Sequence, residues 1–89
     1  MKNQIQLATI SILINGREKL ADNVQKILTA NSKLIMVRTG VNVQPKCVSD
    51  CLGLIMVAVQ GPKADIDRLA KKINTIKNVS AKVNILAKQ

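Results

Sequence analysis

The sequence predicts an α+β fold of the ferredoxin-like type, a βαββαβ sandwich in which a four-stranded antiparallel sheet carries two helices on one face. Three observations predict it. Apolar residues alternate with a period of two in four stretches and recur at helical spacing in two others. The order is strand, helix, strand, strand, helix, strand, so each half is a βαβ unit, and right-handed crossovers place both helices on the same face. Eighty-nine residues suit one domain, 1–89, and leave little room for a second.

The first strand runs from Ile5 to Ile14, with Ala8, Ile10, Ile12 and Ile14 on one face and Leu7, Thr9, Ser11 and Leu13 on the other. Asn15-Gly16 then turns the chain. From Arg17 to Ala30, Leu20, Val24, Ile27 and Leu28 recur at helical spacing, and Arg17, Lys19, Asp22, Asn23, Gln25 and Lys26 occupy the remaining surface. Asn31-Ser32 ends that helix. A second strand follows over Lys33 to Val43, where Ile35, Val37, Val41 and Val43 alternate against Leu34, Met36, Arg38 and Asn42, with a bend or bulge expected at Gly40.

The third strand, Leu52 to Gln60, is apolar almost without interruption, the mark of a central strand buried on both faces. Gly61-Pro62 closes it and opens the second helix, Lys63 to Ile76, whose buried stripe is Ile66, Leu69, Ala70, Ile73 and Ile76. Beyond Asn78, the fourth strand over Val79 to Ala87 sets Ala81, Val83 and Ile85 against Lys82, Asn84 and Leu86.

Hydrophobic residues make up 47% of the chain and none is Phe, Tyr or Trp, so the core is aliphatic. Two helices on one side leave the other sheet face bare. The pattern puts Leu7, Leu13, Leu34, Met36, Leu52, Leu54, Met56, Ala58 and Leu86 there, where polar residues would serve a monomer. Each large apolar side chain left in water forgoes about 1.5–3 kcal/mol, so a homo-oligomer, dimer or tetramer, is expected to cover this face.

The chain has no histidine, which excludes Ser-His-Asp and Cys-His catalysis and removes the commonest transition-metal ligand. Five acidic residues, placed mainly on helix surfaces, supply no general acid/base pair, and the protein is expected not to be an enzyme. Fourteen Lys and Arg against five Asp and Glu give a formal charge of +9. The cations are scattered and only Lys71-Lys72 stand adjacent, so a solvated surface is favoured over a nucleic-acid footprint. An RNA-binding sheet of this topology would also need stacking aromatics. No apolar run approaches the ~20 residues of a membrane span, and a soluble cytoplasmic protein is expected.

Cys47 and Cys51 are the only cysteines, four positions apart in the connection before the third strand. In the cytoplasm they are expected reduced, Cys51 as a small buried strand residue and Cys47 as an incidental loop thiol. Two other readings stay open. The pair gives half the ligands of a structural zinc site, which dimerisation would complete, or it forms a disulfide or redox-sensing thiol beside Lys46. Asn15-Gly16-Arg17, at the first strand-to-helix turn, offers backbone N–H groups and a guanidinium to an anion, and equally makes an ordinary turn.

The turn Asn15-Gly16-Arg17-Glu18-Lys19, the stretch Met36 to Gln44 (MVRTGVNVQ), the stretch Leu52 to Gly61 (LGLIMVAVQG) and the tail Ile73 to Leu86 (INTIKNVSAKVNIL) resemble the iron-only hydrogenase system regulators. That family consists of short stand-alone ACT-like domains, related in fold to the C-terminal domain of nickel-responsive regulators. The resemblance covers nearly the whole chain and rests on the hydrophobic pattern, on Arg38-x-Gly40 and on the Asn-Val-x-x-Lys-Val tail. It implies an oligomeric regulatory or ligand-sensing domain of an anaerobic bacterium without its own DNA-binding helix-turn-helix. Nickel sensing does not carry over to a chain without histidine. ACT-like domains place ligands where the first strand-helix turn meets a neighbouring subunit, which marks Asn15, Gly16, Arg17, Arg38 and Gly40 as effector-binding candidates; the identity of any effector or cofactor is left open.

Overall fold

The computed structural model describes residues 5–41 and 43–88. The elements follow the expected order: β1 (Ile5–Asn15), α1 (Arg17–Ala30), β2 (Ile35–Val41), β3 (Leu52–Pro62), α2 (Lys63–Asn74) and β4 (Val79–Lys88). The strands form one sheet in the order β2-β3-β1-β4, with every neighbouring pair antiparallel. This is the ferredoxin-like sandwich. Asn42, assigned from sequence to the second strand, lies outside the described residues.

β1 is the spine of the sheet. It pairs with β3 from Ile5 opposite Pro62 to Asn15 opposite Leu52, and its other edge pairs with β4. Ala8, Ile10, Ile12 and Ile14 are buried on its helix-facing side, and Ile55, Val57 and Val59 continue that layer across β3. Val24 and Leu28 of α1 and Ile66, Leu69 and Ile73 of α2 close over it. With no aromatic ring available, this branched aliphatic layer is the whole core, and large-to-small changes in it leave cavities rather than gaps that a ring could tilt to fill.

β3 is central as expected but is not buried on both faces. Gly53, Ile55, Val57 and Val59 are buried, whereas Leu52, Leu54 and Ala58 on the other face are half-buried and Met56 is exposed. A second correction concerns β2. The irregularity in its pairing falls between Ile35 and Val37, not at Gly40. Because strand side chains alternate with a period of two, this one-residue shift exchanges the faces of everything after it. Val37 and Val41 stand opposite Ala58 and Leu54 on the open face, while Arg38 and Gly40 stand opposite Val57 and Ile55 on the helix side.

Two residues assigned from sequence to the open face lie elsewhere. Leu34 precedes β2 and packs against the core. Met36, passed over in the pairing, borders a shallow hollow with Leu28, Thr29 and Ser32. A second shift between Leu7 and Ala8 sets Ala87, rather than Leu86, opposite Leu7. The open face therefore runs from apolar to polar: Val41, Leu54 and Leu13 lead to Ser80 in one cross-strand row, and Thr39, Met56 and Ser11 lead to Lys82 in the next.

Candidate functional site

The first turn of α1 is where the sequence-marked turn, the cysteine loop and the start of β3 meet. Gly16 caps the helix at φ 93°, a left-handed conformation that favours glycine. Its N–H and that of Arg17 both donate to the Cys51 carbonyl, at 2.8 and 2.9 Å, and the Asn15 N–H donates to the Asn78 carbonyl at 2.8 Å. β3 approaches so closely that a Cβ on Gly53 would lie 2.9 Å from the Arg17 Cβ. The Asn15-Gly16-Arg17 amides are thus largely spent on the protein's own carbonyls, and the turn reads as a joint.

The loop between β2 and β3 is stitched to this joint from several sides. The Glu18 carboxylate accepts the N–H groups of Asp50 at 2.8 Å and Cys51 at 3.1 Å. Its own backbone N–H, then those of Cys51 and Asp50, hold its carboxyl below the ordinary glutamate range, against a smaller opposing effect of desolvation. Gln44 takes the Leu52 N–H on its Oε1 at 2.7 Å, and its carbonyl receives the Arg17 Nη2 at 2.8 Å and the Cys47 N–H at 3.1 Å.

Cys47 and Cys51 are joined as a disulfide with their Cα atoms 5.8 Å apart, and no free cysteine is present among the described residues. The expectation of two reduced thiols is corrected by this bond. The left-handed Asp50, at φ 53°, lies within the short span that the bridge closes. Cys51 is buried as expected, and Cys47 is half-buried. With both sulfurs bonded to each other, neither is a thiolate ligand in this structure, and among the described residues no group of three or more His, Cys, Asp or Glu side chains could hold a metal ion.

Beside the joint, under α1, lies a hollow of about 260 Å³ lined by Ile14, Arg17, Ala21, Gln25, Gly40, Val41, Gly53, Leu54 and Ile55. Its origin is a shortage of side chains: Gly40 faces the helix where β2 would otherwise supply a residue, and Ala21 is the helix residue above. A Cβ on Gly40 would meet nothing within 4 Å. The walls are mostly aliphatic, with Arg17 and Gln25 as the polar groups, a combination suited to a small ligand with an apolar body and an acceptor end.

Of the candidates read from sequence, Arg17 and Gly40 meet at this hollow, with Asn15 and Gly16 beside it. Arg38 does not join them. Its Nη2 donates to the Thr29 Oγ1 at 3.1 Å near the other end of α1, about 18 Å from Arg17 along the helix axis. Glu18 and Gln44 were not singled out from sequence, because an acidic residue in a first helical turn and a glutamine before proline are ordinary features until the loop folds onto them. Lys71 and Lys72 sit exposed in the last turn of α2, where cations complement the helix dipole.

A family model described as "TM1266-like: Iron-only hydrogenase system regulator, putative" matches residues 6–83. The chain belongs to this family. Among solved structures, it is similar to the uncharacterized protein TM1266 from Thermotoga maritima, with a TM-score of 0.81 at 23% identity over 93% of this chain and 99% of that one. At that identity the likeness establishes the fold. No curated protein matches. The family match spans the joint, the loop and the hollow together, and no helix among the described residues is long and apolar enough to cross a membrane.

Proposed function

We propose that this member of the regulator family is a non-enzymatic, ACT-like sensor domain that binds a small effector in the hollow between α1, β2 and β3. The observation that carries the reading is the meeting of Arg17, Gln25 and Gly40 around about 260 Å³ of open space beside the α1 joint. Arg17 and Gln25 orient the acceptor end of the ligand, and the aliphatic walls hold its body. Membership of a family described by regulation of a hydrogenase system supports a site that reports a metabolite to a partner rather than transforming it.

The open sheet face supports an oligomer. Leu13, Met56 and Val37 are 45%, 44% and 57% exposed and stand on the same face with Leu54 and Val41. In this proposal a second copy covers the apolar β2–β3 half and leaves the Ser80 and Lys82 edge in water. Equilibrium sedimentation checks it: a dimer or tetramer at micromolar concentration is expected, and a monomer contradicts it.

For the site, a thermal-shift screen of amino acids, nucleotides and small anions is expected to give hits that the wild type shows and Gly40→Val loses. Hits unchanged in Gly40→Val contradict the hollow. Because Arg38 lies at the far end of α1, Arg38→Ala is expected to leave those hits unchanged.

A further inference from the structure

The effector hollow and the disulfide share one side chain. Arg17 lines the hollow, its guanidinium donates to the Gln44 carbonyl in the cysteine loop, and its backbone N–H donates to the Cys51 carbonyl. The loop is poorly anchored otherwise. Val43, Pro45, Lys46, Val48 and Ser49 are all exposed, and the Cys47 N–H is tied only by its turn bond to Gln44. Residues 43–49 bury no large apolar side chain, so the covalent bridge and the polar stitches to Glu18, Gln44 and Arg17 hold this segment against α1.

We infer that the Cys47–Cys51 disulfide is a redox latch on the α1 joint, opened by thiol–disulfide exchange with a dithiol reductant, and that its state sets the order of the Arg17 wall of the hollow. The consequence for ligand binding rests on the hollow being the effector site; the latch itself does not. The two sulfurs differ in access: Cys51 is 2% exposed, whereas Cys47 is half-buried in the loop. An incoming thiolate therefore attacks Cys47 Sγ, forms a mixed disulfide with it and expels Cys51 as a thiolate that takes up a proton. The second thiol of the reductant attacks the first, closes the reductant's own disulfide and releases Cys47, which is protonated in turn. Two electrons and two protons pass to the protein, and the dithiol leaves oxidised.

Once the bridge opens, the chain from Cys47 to Cys51 regains the freedom of an unlinked loop, and the stitches at Asp50, Cys51 and Arg17 must order it alone. The bridged state is thus the one with a fixed Arg17, and reduction loosens the joint from the loop side while α2 and β4, which share no hydrogen bond with the loop among the described residues, stay as they are.

Hydrogen–deuterium exchange on the full chain tests this, comparing protein equilibrated with oxidised glutathione against protein reduced with dithiothreitol. Reduction is expected to speed exchange by about tenfold or more at the Arg17, Asp50 and Cys51 amides and to leave α2 and β4 unchanged. The Cys47→Ser/Cys51→Ser variant is expected to match the reduced protein and to ignore the reductant. Limiting reduced glutathione is expected to leave its first adduct on Cys47. Equal exchange in the two states, a first adduct on Cys51, or two free thiols after equilibration with oxidised glutathione overturns the latch. None of these readouts involves a ligand, so their failure leaves the effector hollow standing, and hits that persist unchanged in Gly40→Val, which contradict the hollow, leave the latch standing.

Discussion

The two βαβ halves of the molecule bury their helices to different depths. In the second half, α2 buries Ile66, Leu69, Ala70 and Ile73 against β3 and β4, and Asn74 clamps β4 by exchanging two hydrogen bonds with the backbone of Ala81, at 2.8 and 3.0 Å. In the first half, α1 buries only Val24 and Leu28, and β2 beneath it is exposed from Met36 to Val41. The hollow, the polar joint and the bridged loop all lie in that looser half. A rigid framework on one side and a less filled layer on the other is the distribution expected where one half supplies stability and the other supplies binding.

The sharpest way to break this contrast is to cut equal pieces from the two helices. Ile73 and Leu28 are both fully buried, and truncating such residues costs about 2–5 kcal/mol depending on how far the surroundings relax. Ile73→Ala is expected near the top of that range by urea denaturation. Leu28→Ala is expected near the bottom, because Leu28 already borders open space beside Thr29 and Met36 into which neighbours can settle. Equal costs would remove the distinction between the halves.

Next in size is the clamp. Asn74→Ala leaves the partly buried N–H and carbonyl of Ala81 without their partners, and a loss of about 1–3 kcal/mol is expected in the same assay. Gly40→Val should change stability by no more than about 0.5 kcal/mol while abolishing ligand-induced thermal shifts, since the added side chain enters empty space. A stability loss as large as that of Asn74→Ala would mean that β2 is framework after all.

The smallest expected effect is at Glu18, which is exposed. Its folded-state pKa lies below the ordinary value, so its contribution is fully present above about pH 4.3, the ordinary glutamate value, and is lost as the pH falls through the lower folded value. Amide protection at Asp50 and Cys51 should therefore be flat near neutrality and fall only in acid. Glu18→Gln should weaken that protection at neutral pH and remove its acid dependence. Wild-type protection that rises as the pH falls would reverse the sign and refute the assignment.

The fold was legible because its signals are local and repeated. Ala8, Ile10, Ile12 and Ile14 alternate over four buried positions, and Ile66, Leu69, Ala70 and Ile73 trace one helical stripe, so each element declares its own buried face. The face of β2 was misread because one bulge after Ile35 reverses every later side chain, and Val37 and Val41 look equally suited to either face. The joint was half legible: Gly16 announces a turn, but Glu18 acquires its partners 32 and 33 residues along the chain, and Gln44 its partners 8 and 27 residues away. The disulfide was out of reach of spacing alone, because a four-residue separation suits a reduced pair equally well.

The claim that the looser half is the binding half is tested most directly by mapping backbone amide shifts of labelled protein titrated with the strongest amino-acid, nucleotide or anion hit of the screen. Shifts concentrated at Arg17, Ala21, Gln25, Gly40 and Gly53 are the predicted result. Shifts confined to α2 and β4, or none at all with every probe class, would contradict it.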